Sequence, residues 1–301
     1  MPDRTGPRNN GNQFSEGDQS EFSKAFANSG KFNFEPQRSV KDSSPMTNLI
    51  DDNRVRAVAT PQARYFYFYM ALACTAVAFL GFAPTYWLPL ASRSFSSTPV
   101  VHFHGLLFFA WTLYFAFQTW LAASGRIVRH RSLGLIGVSL ATAMTIFGFL
   151  VTVDAMKRSA ALGQTDVGIA FSIVPLSGML VFAVVLTLAI IATRRPETHK
   201  RLMLLAGISL LDAAVARWFL TFLAPPGPPG LPPVEVTIAP AFVAYLLLVA
   251  AIIFDWRRLG RPHPVYIYGG AALIAVKLLN WPISTTLVWH SFAGGILALA
   301  Q

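Results

Sequence analysis

Two stretches of this sequence repeat one pattern. Arg126-x-x-x-His130-Arg131-x-Leu133 and Arg195-x-x-x-His199-Lys200-x-Leu202 each open a long apolar run, and Arg261-Pro262-His263-Pro264 opens a third in looser form. A histidine set among cations at such a boundary has two chemical uses. Paired imidazoles can ligate the iron of haem b, and clustered cations attract anionic lipid headgroups. The same residue types also mark the edge of a bilayer with no further role, because long basic side chains snorkel to water. His104, His130 and His199 form the candidate haem-ligand set. Arg126, Arg129, Arg131, Arg194, Arg195, Lys200 and Arg201 form the candidate lipid-contact set.

His104, Trp111 and Gln118 are spaced i, i+7, i+14, which puts them on one stripe of a helix with Tyr114 close by. A polar stripe inside an apolar run faces a bundle interior or a wet cavity. His102 lies about 200° around a regular helix from His104, so the two do not form a metal-binding pair. No metal site is expected elsewhere, since the lone cysteine, Cys74, has no partner and reads as a packing residue.

Asp212 and Lys277 are the costliest residues in the chain. Each falls about a dozen residues into an apolar run that starts from the same side, so both belong near mid-bilayer depth. An isolated charge there costs roughly 2.5–3.5 kcal/mol on insertion scales. Pairing offsets that cost, and the fifth and seventh runs are therefore predicted to pack with Asp212 against Lys277. The pair is either a structural clamp or a proton or ion relay. Arg217 lies five residues beyond Asp212 on another face and nearer the far interface.

The elements that must position these groups are legible from composition. Of 301 residues 54% are hydrophobic and 13% charged, where a soluble domain carries about 25% charged. Residues 1–65 hold 17 of the 38 charges, and the rest is apolar runs punctuated by Pro and Gly. Seven runs, near 66–90, 100–122, 132–156, 168–193, 202–224, 238–256 and 264–284, have the roughly 20 residues a transmembrane helix needs. Their length excludes the short alternating strands of a barrel. The expected fold is an all-α membrane protein of seven transmembrane helices, with a seven-helix domain over 66–301.

The net charge of +10 is not a nucleic-acid signature, because of where the charge lies. One alternate set of loops carries ten Lys/Arg against two acids; the other set is balanced, with Arg93, Lys157 and Arg158 against Asp154, Asp166 and Glu235. By the positive-inside rule the basic loops are cytoplasmic, the N-terminus is in and the C-terminus is out. Residues 1–65 read as a disordered cytoplasmic tail, with Met46 as an alternative start of translation. The first apolar run begins too far from the start for a cleavable signal peptide. Thr98 and Pro99 are expected to cap the second helix, and Thr165 and Asp166 the fourth. Pro282 and Ser284-Thr285-Thr286 offer a break, leaving 287–299 as a short outer segment at the interface with Trp289, His290 and Phe292.

The combination His104-Gly105…Trp111…Gln118…His130-Arg131-x-Leu133-Gly134, His199-Lys200-Arg201-Leu202-Met203-Leu204-Leu205-Ala206, Ala214-x-x-Arg217, His263-Pro264 and Trp289-x-x-Phe292-Ala293 resembles a family of uncharacterised bacterial membrane proteins. The resemblance covers about residues 65–300. It implies a multi-pass protein of the bacterial inner membrane and brings no activity with it. The helix-start histidines give a looser likeness to cytochrome b-type bundles, one of fold and composition. Lys277 is no match for a retinal lysine: Leu273 stands where microbial pumps carry an acid, and the third run has no interior carboxylate. Three functions follow, in this order: a non-catalytic membrane component or small-molecule binder with a polar site built by helices 2, 5 and 7; a haem- or quinone-linked redox protein; a proton-coupled transporter.

Overall fold

A computed structural model of the chain describes residues 61–225 and 230–300. The expectations for residues 1–60, including the alternative start at Met46, lie outside the described residues. Seven helices are long and apolar enough to cross a membrane: α1 (Arg64–Gly81), α2 (Pro99–Ala123), α3 (Ile127–Ala161), α4 (Thr165–Arg194), α5 (Pro196–Leu223), α6 (Val234–Leu259) and α7 (Pro264–Ser284). A shorter apolar helix, α8 (Leu287–Ala300), follows. There is no strand among the described residues.

Helix α5 is the centre of the bundle. Half of its apolar window is buried, against 22–39% for the other six. Leu204, Leu205, Ala206, Ile208, Leu211 and Ala214 are fully enclosed. Between helices in lipid the hydrophobic effect gives little drive, so close packing of small residues does the work. Gly81 of α1 shows this: a β-carbon there would lie 2.6 Å from the Ala214 carbonyl oxygen of α5.

Three spans are interrupted. Helix α4 breaks at Ser172, α6 at Tyr245, and α5 over Ser209-Leu210-Leu211, so that Asp212 begins a second helical piece. The break at Ser172 has a local cause, since Pro175 in the next turn has no N–H to offer the Phe171 carbonyl. The breaks at Tyr245 and Ser209-Leu210-Leu211 fall at no glycine or proline.

The ends correct several expectations. The helix that carries α1 begins at Pro61, three residues before its apolar span at Arg64 and inside the segment expected to be tail. The side chain of Thr98 makes no capping bond; its hydroxyl donates to Asp154 Oδ2 at 3.0 Å and ties the start of α2 to α3. The N-cap of α4 is Gln164, one residue before the expected Thr165. Helix α7 continues through Pro282 to Ser284, and the chain turns at Thr285 and Thr286. The Thr286 hydroxyl accepts from Trp289 N at 3.2 Å and caps α8.

The expected outer segment is thus a helix docked on the bundle. Trp289 Nε1 donates to Ile169 O at 3.0 Å, and Ala293 and Leu297 pack with Met156 and Ile169. Its opposite face leaves Leu287, Val288 and Leu299 exposed, as suits a helix lying along an interface.

Candidate functional site

The two charges expected at mid-depth meet. Lys277 Nζ of α7 lies 2.5 Å from Asp212 Oδ2 of α5. Lys277 is buried and Asp212 is partly exposed. The break in α5 brings Asp212 to the start of its second piece, where its Oδ1 also accepts from Ala213 N at 2.8 Å. A cleft of about 20 Å³ beside the pair is bordered by Ser177, Ser209, Tyr245 and Asn280. That is room for about one water.

A second ionic cluster was not foreseen. Arg201 of α5 is completely buried, and so is its partner Asp255 of α6. Nε reaches Asp255 Oδ2 at 2.8 Å and Nη2 reaches Oδ1 at 2.6 Å, a bidentate pair. Nη1 is taken by Glu197, through its backbone oxygen at 2.8 Å and Oε2 at 2.7 Å. Arg201 therefore leaves the lipid-contact set: its guanidinium points inward, where no headgroup reaches. Lys200 is held by Glu197 Oε1 at 2.6 Å and lies 5.0 Å over the Tyr67 ring. Arg126, Arg129, Arg131, Arg194 and Arg195 are exposed. The available signal for the cluster was Asp255 itself, an acid at the end of an otherwise apolar run.

The histidines divide. His130 and His199, each the fourth residue of its helix, come together with ring centroids 6.3 Å apart and planes at 73°. His130 Nδ1 lies 3.3 Å from Gln118 O, and His199 Nδ1 lies 2.8 Å from Ala189 O. A carbonyl only accepts, so both Nδ1 atoms carry a proton, and in the neutral tautomer that this selects, Nε2 is left with the lone pair. His104 stays apart from this pair. It lies next to Gly148 and Met179, with its Nδ1 buried and unpartnered. His263 is a cap instead, its Nδ1 accepting from Val265 N at 3.2 Å. Arg217 is also separate, stacked 4.3 Å over Phe82 and 3.4 Å from Thr85 Oγ1.

His130 and His199 border a cavity of about 580 Å³ walled by α2, α3, α4 and α5. Trp111 and Gln118 are in its wall, so the α2 stripe opens here and not toward Asp212 and Lys277. The single polar site expected from helices 2, 5 and 7 is two sites. Trp111 is fixed by stacking on Phe115, at 5.5 Å and 10°, and by an edge contact with Phe182. Gln118 Nε2 donates to the Tyr114 hydroxyl at 2.8 Å, which donates to Leu133 O at 2.6 Å. Gln118 Oε1 is buried and lacks a partner. Arg64, Arg131, Lys200 and Arg258 and the hydroxyl residues Tyr67, Thr119 and Thr193 complete the polar lining, and no acidic side chain lines the cavity among the described residues.

Comparison with protein-family models, with curated proteins and with solved structures finds no match. Fold and composition define the class: a helical, multi-pass membrane protein.

Proposed function

We propose that this chain is a multi-pass protein of the bacterial inner membrane, N-terminus in the cytoplasm, that binds an amphipathic small molecule with an acidic head in the cavity between α2, α3, α4 and α5. The observation that carries this reading is the cavity. Its volume of about 580 Å³ falls within the roughly 300–1,000 Å³ of small-molecule sites, and its make-up of apolar walls with a few convergent polar groups is theirs too. The polar groups are cations, imidazoles, hydroxyls and the Gln118 amide, with no carboxylate among the described residues. Such a lining disfavours a cation and suits a carboxylate or phosphate carried on an apolar body. The orientation rests on the excess of Arg and Lys in the loops at the cavity's end of the bundle. The exposed arginines there suit anionic lipid headgroups.

Gly134 gives the test. It borders the cavity, and a β-carbon on it meets no atom within 4 Å. Gly134→Phe should fill the cavity without disturbing the bundle. Protein purified in detergent is extracted with organic solvent and the small molecules are compared by mass spectrometry. A compound held by the unaltered chain and lost from Gly134→Phe, at equal folded yield, is the expected result. Identical extracts would refute the reading.

A further inference from the structure

The cavity's two histidines have a geometry that an amphipathic ligand alone does not require. We infer that His130 and His199 are the two axial ligands of a haem-type iron, with the tetrapyrrole lying in the cavity between α2, α3, α4 and α5. This rests on the binding reading above and names the class of ligand.

Distance comes first. An imidazole–metal bond is about 2.0–2.1 Å, so two such bonds in line, with the ring radii added, put the centroids roughly 6–6.5 Å apart. The observed separation is 6.3 Å. That spacing leaves room for an iron but also occurs between packed rings, so the choice falls to the tautomers and the surroundings.

The tautomers agree. Both Nδ1 atoms are committed to backbone carbonyls, Gln118 O and Ala189 O. Neither Nε2 has a hydrogen-bond partner among the described residues. A metal-binding histidine donates its other N–H to a carbonyl or carboxylate, which fixes the ring and directs the lone pair at the metal. Here the same arrangement occurs twice, on both members of a repeated Arg-x-x-x-His-cation pattern.

The surroundings match a tetrapyrrole in shape and charge. Gly134 lies one turn beyond His130 on the cavity face of α3, where a β-carbon would meet no atom within 4 Å, so a flat ring can lie close there. Trp111 and Phe115 supply aromatic wall on α2. Arg131 directly follows His130, and with Arg64 it offers exposed guanidinium groups for two propionates. With both axial positions filled by protein, the iron is six-coordinate and has no open position for an exogenous ligand.

The test uses the full chain, expressed in haem-replete cells and purified in detergent. The expected result is one haem per chain by pyridine haemochrome, with a Soret band that shifts and resolved α and β bands on dithionite reduction. The ferric protein should give a low-spin electron paramagnetic resonance signal of the type produced by steeply crossed imidazole planes. His130→Ala and His199→Ala should each lose the six-coordinate spectrum, and added imidazole should restore it in His130→Gly. A colourless preparation whose spectrum is unchanged by haemin titration overturns the inference. So does a five-coordinate or high-spin spectrum in the unaltered chain, or a low-spin spectrum kept by both alanine variants. If no haem is bound but another compound is lost from Gly134→Phe, the binding reading stands and the haem assignment falls. If nothing is held at all, both fall.

Discussion

Arg201 and Asp255 lock α5 to α6 through two parallel hydrogen bonds of 2.6 and 2.8 Å, with no solvent exposure on either side chain. Fork-to-fork pairing satisfies the carboxylate and most of the guanidinium at once, and Glu197 takes what is left. Breaking such a pair from one side strands a buried charge, which costs about 3–5 kcal/mol, whereas replacing both partners by apolar groups is often close to neutral. Arg201→Met and Asp255→Leu should each sharply lower the folded fraction, and the double variant should recover much of it. Size-exclusion profiles and thermal unfolding in detergent read the difference. Equal loss in all three would show that the ion pair is not what the single variants remove.

Lys277 and Asp212 obey the same logic at mid-depth, with a difference of degree because Asp212 is partly exposed. Asp212→Asn leaves the Lys277 ammonium uncompensated, at roughly 2.5–3.5 kcal/mol for a charge at that depth. Folded yield should fall in Asp212→Asn and in Lys277→Ala, and return in Asp212→Asn/Lys277→Met. If Asp212→Asn is as stable as the unaltered protein, the pair is not a clamp and a relay role gains ground.

Gly81 and Ala214 bring α1 and α5 into backbone contact. A methyl group at Gly81 would press on backbone atoms at 2.6–2.7 Å, with no flexible side chain to move aside. Gly81→Ala should therefore part the helices and lower the unfolding temperature, by an amount corresponding to about 1–3 kcal/mol for overpacking. Gly295→Ala on α8, where no atom lies within 4 Å, is the matched control and should be neutral.

His263 links the start of α7 to pH. Burial holds its imidazole below the ordinary 6.5, with Arg201 acting in the same sense and Asp255 and Glu197 opposing. Its Nδ1 must stay unprotonated to accept from Val265 N. The folded pKa is lower than the unfolded one, so the unfolded chain binds the proton more readily and stability falls as pH drops below about 6.5. His263→Asn keeps a capping acceptor without the titration. Its unfolding temperature should change less between pH 7.5 and 5.5 than that of the unaltered protein; parallel curves would remove His263 as the cause.

The expected ends fell up to nine residues off, since the first run was expected to reach 90 and α1 stops at Gly81. The residue order nonetheless determined the number of apolar spans, the alternation of basic and balanced loops, and the similar distance of Asp212 and Lys277 from the starts of their runs. These follow from local composition and from rise per residue, and both survive without knowledge of neighbours. What the residue order left open is rotation about each helix axis. A helix in lipid is apolar on its outer face as well as its inner one, so hydropathy marks a span but not the face it turns to its neighbours. Tertiary packing alone turned Arg201 inward to Asp255, separated His104 from His130 and His199, and aimed the Trp111–Gln118 stripe at a cavity distinct from the Asp212–Lys277 pair. It also placed the breaks at Tyr245 and Ser209-Leu210-Leu211, where nothing in the local chemistry forbids a helix, whereas Pro175 marks the break at Ser172 in the sequence itself.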